Sequence, residues 1–600
     1  MCVACGPLSH ILSGRPGPMS RRWFMGGVSA AAFGAGASGS PFSCVEAIAQ
    51  TASSSGEADT IYQGGPIITI DDRRPFAEAV AVQGGRIQAV GSRGEIERLR
   101  GPKTRIVDLQ GKTLLPGFFD AHGHAFLVGL QALSANLLPP PDGEGRDIAS
   151  IQRLLKEWIA KNRGVIERYK LIIGFGYDDS QLKEQRHPTR DDLDQVSTDL
   201  PVLIIHQSGH LGVANSKALE LAKITSATKD PVGGVFRRRD GSSEPNGVME
   251  EHAFMNVAGL LTSGFDVNAG LAMIKAGAEA YARYGYTTAQ EARAFAASVQ
   301  MIQAAADKQM LPIDVLVYPD IVEAVDAIKA PALSRDYRNR YRIGGAKLTI
   351  DGSPQGKTAW LTRPYFVPPP GKGPDYVGYP AIPNDKAMAA VDVAFANGWH
   401  LLCHCNGDAA SDVYIAAVKE ATRKHGKADR RPVLIHGQVL RPDQMDSMKE
   451  LGIKPSLFPM HTFYWGDWHR DSVLGPERAD NISPTGWAMQ RGMPFTTHHD
   501  APVVNPDSMR VLSATVTRRT RSGDILGPRH CVPVATALKA MTLWAAAQHF
   551  EEDRKGSIEA GKIADLVMLS DNPLTVAPDK LAQIKVLETI KDGLTVYQAA

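Results

Sequence analysis

Eight short apolar runs recur along the middle of the chain with helical segments between most of them: KLIIGFG, PVLIIHQ, PIDVLVYP, AKLTIDG, WHLLCHCNGD, PVLIHGQ, KPSLFP and MPFTTHHD. Strands spaced by helices return to one sheet through parallel crossovers, so the alternation selects an α/β fold. Eight such units suit a (β/α)8 TIM-like barrel, in which polar residues at the C-terminal strand ends build the active site. Those ends carry His404, His436 and Asp500 here, with Lys347 inside AKLTIDG.

From Ile61 to Val107 the pattern changes to β-branched runs broken by glycine turns, QGG and LQGK among them. The same style returns in GSIEAGKIADLVMLS and TIKDGLTVYQ, which predicts one small sheet domain made of both chain ends. The segment 131–265 is too long for a simple connection and holds KLIIGFG and PVLIIHQSGH, so it reads as an insertion over the barrel mouth that helps to build the substrate pocket.

TLLPGFFDAHGHAF, Thr113 to Phe126, places His122 and His124 two residues apart behind an apolar run. Residues i and i+2 of a strand share a face, so both imidazoles can reach one ion. Alone, such a pair reads more often as two surface or core histidines than as a metal site. With Lys347, His404, His436 and Asp500 following in order, it becomes a candidate site for zinc or a related divalent ion, for which imidazole and carboxylate are suitable ligands. Asp120 shares the inward face with the pair, as His498 does with Asp500. His498 is a candidate for touching substrate, a carboxylate behind the ligands, or a metal, against a packing role. His499 faces the other way.

Composition excludes several classes. Lys+Arg 66 against Asp+Glu 64 leaves a net charge of +2, with no basic block for nucleic acid. No run approaches the ~20 apolar residues of a membrane span. SRRWFM, then a small-residue stretch without acids, then Ala47 and Ala49 in AIAQ, resembles a twin-arginine export signal over 1–49 with Arg21 and Arg22 as the pair. This predicts cleavage, engagement of the Tat machinery, and a periplasmic or secreted protein. Its removal takes Arg15, Arg21, Arg22 and Glu46, leaving 63 basic and 63 acidic residues, and also Cys2, Cys5 and Cys44. Cys403, Cys405 and Cys531 remain, which is no disulfide framework; the first two are read as free buried thiols flanking His404.

LLPGFFDAHGH, Lys347 with Asp351 and Gly352, HCNGDAA, LIHGQ, HHDAPV and the closing GSIEAGKIADLVML together resemble the amidohydrolase superfamily, specifically its family 3 of the YtcJ-like kind, from about Asp59 to Tyr597. The resemblance implies a metal-binding (β/α)8 barrel at 116–554 with a small β-sandwich from both ends, 58–115 plus 555–600. It implies that His122 and His124 bind one ion, that His404 and His436 bind a second, and that a carboxylated Lys347 bridges them. Asp500 would ligate the first ion and take the proton of the attacking water. Lys347 also admits another reading, as an uncharged pocket lysine or an ion-pair partner of Asp351. His210, in HQSGHLGVANSKAL, resembles a stretch that projects a histidine toward the pocket, and with His498 and Asp351 it is a candidate for substrate binding. HHD departs from the small residues that commonly precede the acid in the family.

The expected activity is hydrolysis of a non-peptide C–N bond in a small molecule: a linear amide, an N-formyl or N-acyl amine, or a carbamate-like group. A cyclic amidase or an esterase/lactonase on the same site is the alternative, as is a non-catalytic binding or regulatory protein on this scaffold. A homo-oligomer is compatible with the sequence.

Overall fold

The computed structural model describes residues 56–231, 234–328, 333–369 and 371–600, so the expected export leader lies outside the described residues. Both ends of that range meet in one eight-stranded sheet. Leu594–Gln598, Val586–Lys591 and Leu566–Leu569 run next to Thr113–Pro116, Thr60–Ile68, Phe76–Gln83 and Arg86–Gly91, with Arg105–Asp108 paired to Thr60–Ile68. The seam is antiparallel, from Leu569↔Thr113 to Leu566↔Pro116. The QGG turn forms a tight hairpin, Gly84 and Gly85 both taking positive φ (56° and 75°) between the paired Gln83 and Arg86. The pairings give one sheet here and do not establish a facing second layer.

Nine segments form two wholly parallel sheets. Phe118–Phe119, Tyr286–Ala294, Asp314–Pro319 and Tyr341–Ile343 make the first; Ala346–Thr349, Leu401–Cys405, Val433–His436, Lys454–Leu457 and Thr496–Thr497 make the second. A parallel bridge, Asp320↔Lys347, ties them together. The closed barrel expected from the alternation is not reproduced as one ladder: among the described residues no strand pairing joins Thr496–Thr497 to Phe118–Phe119. Both of these strands are two residues long, too short for a ladder of their own. Gln548 spans the gap instead, accepting from the Thr496 hydroxyl (2.7 Å) and donating to the Ala121 carbonyl (2.9 Å).

Two of the eight runs belong elsewhere. KLIIGFG and PVLIIHQ contribute Ile172–Tyr177 and Val202–His206 to a separate six-stranded sheet with Ala135–Asn136, Leu211–Ala214, Pro245–Glu251 and Gly234–Arg238. Their own core includes Ile151, Leu155, Ile172, Leu193 and Ile204. Phe118–Phe119 and Tyr286–Ala294 take their places in the parallel sheets. The second of these reads YTTAQEARA, with Thr287, Thr288, Gln290, Glu291 and Arg293 among residues that are buried throughout. Hydrophobicity could not announce it, because its inward positions serve chemistry and not packing. Among the described residues no single helix is long and apolar enough to cross a membrane.

Candidate metal centre and active site

His122 and His124 follow directly on Phe118–Phe119, and the helix Ala125–Leu133 starts behind them. Gly123 lies between them by necessity, because a Cβ there would stand 2.1 Å from the Tyr281 hydroxyl and 2.7 Å from Asp120 Oδ2. Asp120 does not point at the ligands' metal-facing edge. Its Oδ1 accepts from His122 N–H and its Oδ2 from Gln290 N–H, both at 3.0 Å, so it fixes the backbone of the pair. Burial raises its carboxyl to about 7.

Neighbouring oxygens set both rings. Gln290 Nε2 donates to the Ala121 carbonyl (3.2 Å), which turns Oε1 toward His122 Nδ1 at 3.0 Å, and His124 Nδ1 faces the Ala292 carbonyl at 2.7 Å. An oxygen acceptor at each Nδ1 assigns the ring proton there and leaves a lone pair on each Nε2. Both Nε2 atoms stand 3.2 Å from the same atom, Asp500 Oδ1. Two lone pairs and a carboxylate oxygen repel one another at that distance unless a cation lies between them, so this donor set fits a divalent metal.

A second group adjoins it. His404 Nε2 lies 3.2 Å from the Gly352 carbonyl, which turns Nδ1 toward His436 Nε2 at 3.0 Å. His436 Nδ1 lies 3.9 Å from Asp500 Oδ2, and Lys347 Nζ lies 3.4 Å from His122 Nε2. Register explains part of the meeting: Thr349 pairs with His404, so Lys347 sits two residues deeper on the same face, whereas His436 is opposite Cys405 at a strand end where its φ leaves the strand region. Burial keeps the rings neutral, as ligands must be: it draws His122 down to about 4 and His436 and His498 well below the usual histidine range. His436 and Asp500 hold positive φ (76° and 53°), unusual for residues with side chains, and such strain collects at functional sites.

The other candidates separate. His498 packs edge-on to His122 and His436, at 5.2 and 5.1 Å between ring centroids, and neither of its nitrogens has a hydrogen-bond partner among the described residues. His499 braces the turn, its Nδ1 accepting from Ala501 N–H (2.9 Å) and its Nε2 facing Asp120 at 3.4 Å. His210 lies in the inserted sheet region with Nδ1 on the Glu251 carboxylate at 2.9 and 3.0 Å. Asp351, a candidate substrate contact, is instead committed to the backbone: its two oxygens accept from the N–H groups of Trp360, Asn406 and Gly407. Its Oδ1 also stands 3.5 Å from His404 Nε2. Cys403 and Cys405 are buried free thiols with Sγ atoms 3.7 Å apart.

Several residues at the site carry no sequence motif. Gln290 and the Ala292 carbonyl belong to the polar strand Tyr286–Ala294. Asp178, Asp179 and His206 also cluster, at the ends of Ile172–Tyr177 and Val202–His206, where YDD and IIHQ repeat the polar strand-end signal seen elsewhere. This second cluster fits a proton better than a metal. Ser208 N–H donates to His206 Nδ1 (3.1 Å), so the ring proton sits on Nε2, 3.0 Å from Asp179 Oδ1.

Comparison with known proteins gives the chain's family and fold. Residues 105–597 match the amidohydrolase family. An N-substituted formamide deformylase from Arthrobacter pascens is 28% identical over 88% of this chain and 96% of its own length. YtcJ of Bacillus subtilis (strain 168) is 26% identical over 90% of this chain and 99% of its own. The crystal structure of an uncharacterized metal-dependent hydrolase from Pyrococcus horikoshii superposes with a TM-score of 0.69 at 24% identity, over 87% of this chain and 99% of that one, which establishes a shared fold.

Proposed function

Because the chain belongs to the amidohydrolase family and is a hydrolase of carbon–nitrogen bonds other than peptide bonds, we propose that it removes formyl or acyl groups from substituted amines in a metal-dependent reaction. The observation that carries the proposal is the convergence of the His122 and His124 lone pairs on Asp500 Oδ1. The reading takes the two parallel sheets as halves of a (β/α)8 barrel, 116–554, and the sheet of both ends, 58–115 plus 555–600, as the β-sandwich of such enzymes.

His122, His124 and Asp500 would hold one zinc ion, and His404 and His436 a second, with Lys347 carboxylated between them. When bound, the ions supply positive charge that acidifies water and polarises the scissile carbonyl. Asp500 takes the proton of the attacking water and delivers it to the leaving nitrogen, as a general base and then a general acid. Gln290 and the Ala292 carbonyl keep the two imidazoles in the required tautomer. With Nδ1 on the Glu251 carboxylate, a doubly protonated His210 would donate Nε2–H to the substrate carbonyl, and His498 would contact the substrate beside it. Export through the Arg21–Arg22 leader would deliver the enzyme to the periplasm.

The test is metal analysis with turnover of N-benzylformamide. Bound divalent ion, hydrolysis to benzylamine and formate, and loss of activity on chelation are expected. Protein without divalent metal, or turnover indifferent to chelators, would overturn the proposal.

A further inference from the structure

The Ala121 carbonyl, directly before His122, accepts from two side-chain amides, Gln290 Nε2–H (3.2 Å) and Gln548 Nε2–H (2.9 Å). A carbonyl can only accept, so each amide must turn its nitrogen toward it. Each amide then has a second N–H to place inside the protein. Both of these reach one atom, His549 Nε2, at 3.2 and 3.1 Å.

His549 ends the helix Leu543–Gln548 and is buried, its ring stacked on Phe119 at 5.4 Å between centroids and 14° between planes. A nitrogen that receives two donors must present its lone pair, so the ring proton of His549 sits on Nδ1. From there it is donated to the Tyr318 hydroxyl oxygen (2.7 Å), and Tyr318 donates its own proton to His400 Nδ1 (2.9 Å). Burial holds His549 well below the usual histidine range and draws His400 down to about 3, so both rings are neutral.

The result is one sequence of donors and acceptors that runs from His122 Nδ1–H to Gln290 Oε1, from Gln290 Nε2–H to His549, and on through Tyr318 to His400. Each link fixes the next. A proton on His549 Nε2 would meet two amide N–H groups at once. Gln290 could relieve that only by turning its nitrogen toward His122, whose own proton would then move to Nε2 and cover the edge that faces the metal.

We propose that His549 is a positioning residue for the metal centre: its Nε2 lone pair holds the Gln290 amide in the orientation that leaves His122 Nε2 open to an ion, and holds the Gln548 amide between Thr496 and Ala121. This rests on the metal-site reading above and adds to it the group that keeps a ligand in its metal-binding tautomer.

Two substitutions in the full-length protein separate the lone pair from the ring. His549→Phe keeps an aromatic ring against Phe119 and removes the acceptor, whereas His549→Gln gives up the ring and supplies an amide oxygen in place of Nε2. The Kd for zinc, read by competition with a chromogenic chelator, should rise about 10- to 100-fold in His549→Phe and stay close to the wild type in His549→Gln. Packing alone would give the reverse order, with Phe tolerated and Gln not, and that order overturns the proposal. The visible bands of the cobalt-loaded protein should shift in His549→Phe and return in His549→Gln; a wild-type spectrum in His549→Phe also overturns it. Since His549 acts through Gln290, the double variant with Gln290→Ala should bind zinc no more weakly than Gln290→Ala alone, and losses that add would refute that route. Should His549→Phe fail to fold, Tyr318→Phe decides, because it removes the oxygen that takes the Nδ1 proton: zinc affinity should fall, and wild-type affinity overturns the proposal. If even the wild type binds no zinc, crystal structures of the wild type and His549→Phe distinguish the two readings. A Gln290 amide that leaves the Ala121 carbonyl only in the variant keeps the positioning role while the metal reading falls, and an unmoved amide removes both.

Discussion

Gln290 carries no charge, yet it decides which nitrogen of His122 can bind a metal. Its Nε2 donates to Ala121 O and to His549 Nε2 (3.2 Å), which leaves only Oε1 for the His122 ring. Gln290→Ala removes that acceptor and frees the imidazole to change tautomer and to rotate. Metal affinity should fall about 10- to 100-fold, read by competition with a chromogenic chelator, while the far-ultraviolet dichroism stays native. Affinity equal to the wild type would show that the ring is held by something else. Asp500→Asn tests the neighbouring claim: kcat should drop about 10²- to 10⁴-fold, the usual share of a proton-transferring group, in protein that still melts cooperatively. His122, His124, His404, His436 and Asp500 were legible in the sequence because ionisable residues at the ends of apolar strands are conspicuous. Gln290 was not, since a glutamine in a polar strand has no motif. Asp351 was legible as a carboxylate beside Lys347, but its bonds to the backbone of Trp360, Asn406 and Gly407 were not, since they join positions distant in sequence.

At the scale of elements, charge is placed as carefully below the parallel sheets as above them. Glu551 lies just beyond the helix Leu543–Gln548 and is fully buried. Its Oε1 accepts from the Tyr337 hydroxyl (2.7 Å) and Arg342 (2.5 Å), and its Oε2 lies 2.8 Å from Lys555 Nζ. Burial alone would raise this carboxyl, but Lys555 and Arg342 outweigh it and hold the acid below its usual value. A depressed carboxyl adds stability above its unfolded value, near pH 4, and that stability is lost as pH falls toward the folded value. The melting temperature should therefore fall on acidification below about pH 4. Glu551→Gln should be less stable at pH 7 by about 3–5 kcal/mol, because buried Arg342 loses its carboxylate and Lys555 keeps only Asp314 (2.7 Å), and its acid loss should be shallower. Parallel acid profiles for the two proteins would place the acid sensitivity in another group. The strands that sequence reading found were those with apolar inward faces. Tyr286–Ala294 was missed because its inward face is polar, and KLIIGFG and PVLIIHQ were misplaced because a buried insertion strand has the same composition as a barrel strand.

On the scale of the whole molecule, the candidate ligands come from positions 122 to 500, on or beside strands of both parallel sheets, and those sheets are joined by the bridge Asp320↔Lys347, the Gln548 side chain and a shared core that packs Phe119 and Tyr318 with Leu402 and Ile435. The alternation of apolar runs conveyed the parallel α/β character, but it could not convey where the ladder stops, because Phe118–Phe119 and Thr496–Thr497 are set by side-chain bridges more than by their own sequence. An ion held by His122 and His124 from one sheet region and by Asp500 from the other would close this gap from above. Metal binding should then contribute to global stability: a ligand that binds only the folded state adds about 4 kcal/mol at a thousand times its Kd. Dialysis against a chelator should lower the melting temperature of the whole chain in one cooperative step, and zinc should restore it. The same chelation of Gln548→Ala should cause a larger drop, since the ion would then carry more of the union between the Thr496 and Ala121 regions, beside the His124 N–H···O Ala501 bond (2.8 Å). If the chelated wild type melts where the loaded protein does, the lone pairs meeting at Asp500 are not joined by a metal; if Gln548→Ala responds no more than the wild type, the two sheets do not depend on the ion for their union.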